Sequence, residues 1–238
     1  MAKFGYHASH EQFKPSALLE YVQAAQQAGF TAALSSDHFH PWSDRQGESG
    51  FAWSWLGAAM QAGLVRVEEA KLYTRPEIPP RIIGAAITPE TAEWLGGWAD
   101  GLITISGPHE KLRKVVEAFH RGGGEGKPMY LKVQLSYAQD ESAARQGAYD
   151  QWRNNIFENV MLAELQTPAQ FDAAAEFVKP EDLKDSVRIS ADPEQHIEWL
   201  QKDVELGFSE IILHNVNRQQ QGFIEVFGER VLPALVGS

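Results

Sequence analysis

Strand-like and helix-like segments alternate along nearly the whole chain, and this constrains the fold more than any other feature. Strands are predicted at Phe4 to His7, Phe30 to Ser35, Arg81 to Ile87, Gly101 to Ile105, Met129 to Tyr137 and Ile211 to Val216. A first helix opens near Pro15, carries Leu18, Val22 and Ala25 at helical spacing and stops at Gly29. Phe51 to Ala62 reads as a buried helix, and Thr88-Pro89-Glu90 opens a helix carrying Trp94 and Trp98. Further helices are predicted at Lys111 to His120, Glu141 to Trp152 and Phe223 to Leu235. Thr167-Pro168-Ala169-Gln170 and Asp192-Pro193-Glu194-Gln195 share a capping-box pattern and open two more. Strands separated by helices of about 10–15 residues form βαβ units with a parallel sheet. No Gly-x-Gly-x-x-Gly follows the first strand and there is no Walker loop, so a (β/α) barrel of the TIM type is favoured over a doubly wound sheet. A full barrel takes eight units in about 250 residues, and this chain is short by about two units. Residues 1–238 read as one domain.

Composition narrows the function. The formal net charge of −11 disfavours nucleic acid and anionic membranes as partners. With no cysteine there is no disulfide, thiolate metal site or thiol nucleophile. The opening Met1-Ala2-Lys3-Phe4 has no apolar signal core and no apolar run reaches membrane length, so the expected location is the cytoplasm.

In parallel α/β folds chemistry sits at the C-terminal ends of the strands. His7-Ala8-Ser9-His10-Glu11 follows the first strand, and Asp37-His38-Phe39-His40-Pro41-Trp42 follows the second. These bring proton-exchanging histidines beside an aromatic wall. The plainer alternative has Asp37 capping a helix, Trp42 in the core and the histidines solvated. Gly84-Ala85-Ala86 could admit a ligand close to the backbone, or pack a helix tightly on the strand. Thr104-Ile105-Ser106-Gly107, before a helix, could hold a phosphate or be an ordinary turn. His214, at the end of the last strand, faces the same region or is structural.

The stretches Phe4 to Phe13 and Ser35 to Trp42 resemble the luciferase-like flavin and deazaflavin oxidoreductases. So do Glu69 to Tyr73, Gly97 to Gly101 and Phe227 to Val231. The similarity is to the deazaflavin-dependent glucose-6-phosphate dehydrogenase branch and, more closely, to its FMN-using cousins. Members of that family carry roughly 80–90 more residues after Ala62, holding the third and fourth barrel strands. The resemblance therefore implies a barrel shortened by those two units. It implies FMN as cofactor, with deazaflavin as the alternative and reduced nicotinamide as a donor. It implies hydride transfer through flavin N5 on a small organic substrate. His38 and Trp42 are implied as catalytic, and Asp37, Ala85, Ala86, Thr104, Ile105, Ser106 and Gly107 as cofactor-binding. His7, Glu11 and His214 are expected to line the substrate pocket. Pro108 stands where the sugar-phosphate branch has a basic phosphate ligand, which argues against glucose 6-phosphate. A homo-oligomer is expected, or an arm at Leu64 to Tyr73 covering the open sheet edge. Two other readings stay open. One is a non-catalytic shortened barrel. The other is a hydrolase with a metal on His7, His10, His38 and His40.

Overall fold

In the computed structural model, residues 2–38, 41–61, 81–157 and 164–236 are described. Seven strands are present among them: β1 (Lys3–Ala8), β2 (Ala32–Ser35), β3 (Ile83–Ala85), β4 (Gly101–Ile105), β5 (Met129–Ser136), β6 (Arg188–Ile189) and β7 (Glu210–Asn215). Every strand pair is parallel. The order is β2-β1-β7-β5-β4-β3, with β6 beside the end of β5. The order follows the sequence from β3 through β4 to β5, then passes over the two-residue β6 to β7, and the last strand meets the first. That is the order of a barrel wall, whereas a doubly wound sheet reverses direction at its centre. Among the described residues the ladder stops at β2 on one side and β3 on the other, which leaves a curled, incomplete (β/α) barrel, as the unit count predicts.

The helices cover the outer face of this wall. They are α1 (Pro15–Gln27), α2 (Ala52–Gln61), α3 (Pro89–Gly96), α4 (His109–Phe119), α5 (Glu141–Trp152), α6 (Pro168–Ala175), α7 (Pro193–Glu205), α8 (Gln220–Val226) and α9 (Leu232–Val236). Alternate strand residues point toward them: Phe4 and Tyr6, Leu102, Leu131 with Val133 and Leu135, and Ile211 with Leu213. They pack on Leu18 and Val22 of α1, Leu112, Val116 and Phe119 of α4, and Phe223 and Phe227. Each such side chain stabilises the fold by roughly 1.5–3 kcal/mol through apolar burial.

Several helix starts are built as the sequence implies. Thr88 Oγ1 accepts from Thr91 N, and Thr167 and Gln170 complete a capping box. Asp192 caps α7 through Glu194 N, but Gln195 turns to Glu198, so the predicted second box is absent. α2 is amphipathic and not wholly buried: Ala52, Trp55 and Ala59 are covered while Phe51 and Trp53 are exposed. Trp94 and Trp98 also lie in the open, stacked edge-on at 5.0 Å. The predicted closing helix divides into α8, a π-helical turn over Phe227–Val231, and α9. The predicted arm at Leu64 to Tyr73 lies outside the described residues.

Candidate active site at the C-terminal ends of the strands

Strand register sets the inner wall of the half-barrel as a grid. One row runs Ala85, Ile103, Tyr130. The next runs Ile105, Lys132, Ile212, Gly5, Ala32. A Cβ on Gly5 would lie 3.2 Å from Ile212 Cγ1 and 3.3 Å from Ala32 Cβ, so these residues share one face. The top row holds Gln134, His214, His7 and Leu34. A complete barrel fills such rows with branched apolar side chains. Here the row nearest the strand ends is largely polar.

His7 and His214 are buried with ring centroids 4.2 Å apart, and Trp152 meets His214 edge-on at 5.0 Å. Gln12 Nε2 donates to Val216 O at 2.7 Å, so its Oε1 faces His214 Nε2 at 3.2 Å. That orientation puts the His214 proton on Nε2 and leaves Nδ1 a buried acceptor without a partner; His7 Nδ1 is likewise unpartnered. Burial holds both imidazoles well below the usual histidine range, and the nearby Lys132 charge adds to it. Both rings are therefore neutral near pH 7.

Above this pair sits a second group. Glu11 is buried, and its Oε2 accepts from Ser9 Oγ at 2.8 Å and Ser36 Oγ at 2.7 Å. Its Oε1 lies 3.2 Å from His38 Nε2, and the His38 side chain is 44% exposed. Trp42 crosses His38 at 5.1 Å and rests on Phe171 at 5.5 Å. Its backbone N donates to Gln46 Oε1. The result is an accessible imidazole, held by a fixed carboxylate and walled by an indole. Such a pair can take a proton from a bound hydroxyl and return it.

The remaining predicted residues divide. Asp37 is exposed beside His38 and caps no helix. Ala85 and Ile105 are on the inner wall and accessible, Ile105 at 46%. Ala86 is buried, its N donating to Ile103 O. Thr104 is buried on the outer face with Leu102, so its side chain does not reach the inner wall. Gly84 serves packing, because a Cβ there would meet Leu95 Cδ2 at 2.4 Å. Ser106 Oγ donates to Gln134 Oε1 at 3.0 Å. Ser106 and Gly107 border a cavity of about 600 Å³ lined by Arg145, Lys184, Arg188 and Lys202 and also by Glu181, Asp185 and Asp203. α4 starts at His109 behind Pro108, which has no N–H, and Glu110 in its first turn pairs with Arg113; the helix start itself is poorly suited to an anion.

His10 points away from His7 and packs on Trp55 at 5.0 Å. His40 lies outside the described residues. Among those described, no three His, Asp or Glu residues are grouped to hold a metal ion, and no helix is long and apolar enough to cross a membrane.

Lys132, Gln12, Gln134 and Trp152 were not anticipated as site residues. A signal for two of them exists in β5, where Leu131, Val133 and Leu135 alternate with Lys132, Gln134 and Ser136. A parallel strand covered on both faces by apolar layers reads as continuous apolar sequence, so the alternation marks a polar inner face.

An incomplete parallel (β/α) barrel with its polar groups at the strand ends defines the class, and comparison with known proteins places the chain within it. The profile of the luciferase-like monooxygenase family matches residues 62–210, and the chain belongs to that family of oxidoreductases. It is similar to an F420-dependent glucose-6-phosphate dehydrogenase of Beutenbergia cavernae, 22% identical over 329 residues, covering 99% of this chain and 98% of that one. A protein of the same name from Nakamurella multipartita is 24% identical over 333 residues, covering 99% and 98%. The first match runs over 329 positions against 238 residues here, so at least 91 of them (329 less 238) have no counterpart in this chain. Among solved structures, an F420-dependent secondary alcohol dehydrogenase with an F420–acetone adduct superposes with TM-score 0.82 at 20% identity, covering 98% of this chain and 99% of that one. The coenzyme F420-dependent tetrahydromethanopterin reductase of Methanopyrus kandleri gives 0.67 at 13% identity, covering 98% and 99%. These likenesses carry the fold.

Proposed function

We propose that the chain is a deazaflavin-dependent oxidoreductase acting on a small organic alcohol or carbonyl compound. FMN, with reduced nicotinamide as donor, is the second choice. The Glu11–His38–Trp42 arrangement above an accessible inner wall carries this reading. The names of the relatives favour the deazaflavin, which reverses the order of cofactors expected from the sequence.

The residues present fit a flat, tricyclic group. Ala85 and Ile105 offer a small apolar face without long side chains, and the unpartnered Nδ1 atoms of His7 and His214 offer acceptors at a polar edge. Arg145 and Lys184 border the cavity next to Ser106 and Gly107, where an anionic tail would lie. When bound, the cofactor supplies a two-electron hydride carrier. The protein supplies the proton path. Oxidation of an alcohol releases the hydroxyl proton, and His38 takes it while Glu11 stabilises the imidazolium that results. Trp42 shields one side of His38 from water and fixes its ring. In the reverse direction His38 returns the proton to the carbonyl oxygen.

Titration of the purified protein with F420 and with FMN, followed by cofactor fluorescence, tests the reading. Saturable F420 binding, tighter than FMN and weakened about tenfold or more in Trp42→Ala, is expected. A cooperatively folded protein that binds neither would instead be a non-catalytic shortened barrel.

A further inference from the structure

The inner wall holds a cation that proton transfer at His38 does not use. Lys132 stands in the middle row between Ile105 and Ile212, part-buried, on the face that carries His7 and His214 one row higher. Its Nζ makes no hydrogen bond or ion pair among the described residues. Among the described residues Glu11 is the acid whose charge reaches it, and both Glu11 oxygens are already engaged by Ser9, Ser36 and His38. The two facing imidazoles are neutral and neutralise nothing. Burial pushes the Lys132 amine down to about 8, opposed by Glu11, so it is still an ammonium at pH 7. An ammonium drawn from water without a paired anion is unfavourable, and a ligand anion relieves it.

The surroundings say which anion. In its own row Lys132 stands between the apolar Ile105 and Ile212, of which Ile105 is exposed. The strand N–H groups beside Lys132 are spent in the parallel ladders. A phosphate needs several donors, whereas a carboxylate on an apolar body needs one cation and a greasy wall. The net charge of −11 repels anions at long range, so binding one calls for a local cation.

We propose that Lys132 is the anion subsite of the substrate pocket and that the substrate is an organic acid, its carboxylate on the Lys132 ammonium. This rests on the oxidoreductase reading proposed above and names the substrate class for it.

The test uses the full chain without cofactor, with labelled lysine side chains followed by NMR, and with benzoate, benzamide and inorganic phosphate as probes. Lys132→Met identifies the Lys132 signal. Saturable benzoate binding at least about tenfold tighter than benzamide is expected, with the Lys132 midpoint rising on binding. Lys132→Arg keeps the preference and Lys132→Met loses it. Should Lys132→Met not fold, the wild-type titration and Lys132→Arg decide the matter. No saturable benzoate binding, equal binding of benzamide, equal binding of phosphate, or unchanged benzoate binding in Lys132→Met would each overturn the proposal. Benzoate binding in a protein that binds no deazaflavin would overturn the cofactor reading alone.

Discussion

Histidines in this chain do three different jobs, and only their surroundings tell them apart. His38 is accessible and held by a carboxylate. His7 and His214 are a neutral buried pair. His196 is structural: it is buried among Tyr137, Trp199 and Phe227, and its Nε2–H donates to Ser190 O at 2.9 Å. Burial pushes the His196 imidazole down to about 4. A folded pKa below the unfolded value means that the unfolded chain takes up the proton first. The contribution of His196 is thus intact above about pH 6.5 and is lost as pH falls toward 4. His7 and His214 act in the same direction. Urea unfolding should show stability falling from pH 7 to pH 5, with His196 accounting for about 2 kcal/mol. His196→Gln should be less stable at pH 7 and show a shallower pH dependence. An unchanged slope would place the titrating group elsewhere. In the sequence the eight histidines look alike, because burial and partners come from residues far along the chain.

At the scale of elements, glycine decides how closely α3 and α4 approach. A Cβ on Gly122 would lie 1.9 Å from Glu93 O, and one on Gly96 would lie 2.4 Å from Phe119 O. Backbone cannot yield as a flexible side chain does. Gly122→Ala should therefore cost about 1–3 kcal/mol. Gly222, inside α8, has open space around its Cβ position, and Gly222→Ala should be neutral or stabilise by up to about 1 kcal/mol. Thermal unfolding of the two variants separates close packing from general helix propensity; equal shifts would contradict the contact argument. The elements themselves were largely legible. Pro15, Thr88, Thr167 and Asp192 mark helix starts, since caps and fixed φ values act within a few residues. β6 was not legible, because two residues carry no period. The exposure of Trp53, Trp94 and Trp98 was not legible either, because it depends on which neighbouring units are present.

For the molecule as a whole, the open wall is decisive. Among the described residues β2 and β3 each pair on one side only. Trp53 follows one edge, and Trp94 and Trp98 follow the other, all exposed. We expect the protein to sediment as a homo-oligomer at micromolar concentration, with Trp53→Lys and Trp94→Lys together shifting it toward monomer. A wild-type monomer over that range would contradict this. By itself, the sequence determined the βα alternation, the apolar outer face of the wall, the helix starts and a chain two units short of a barrel. These follow from local periodicity and backbone preference. Only the tertiary structure decided that His214 meets Gln12 across 202 residues, that Glu11 braces His38, and that Lys132 stands on the inner wall without a partner among the described residues. Those meetings depend on strand register and on the curl of the open wall, and neither is encoded within any one segment.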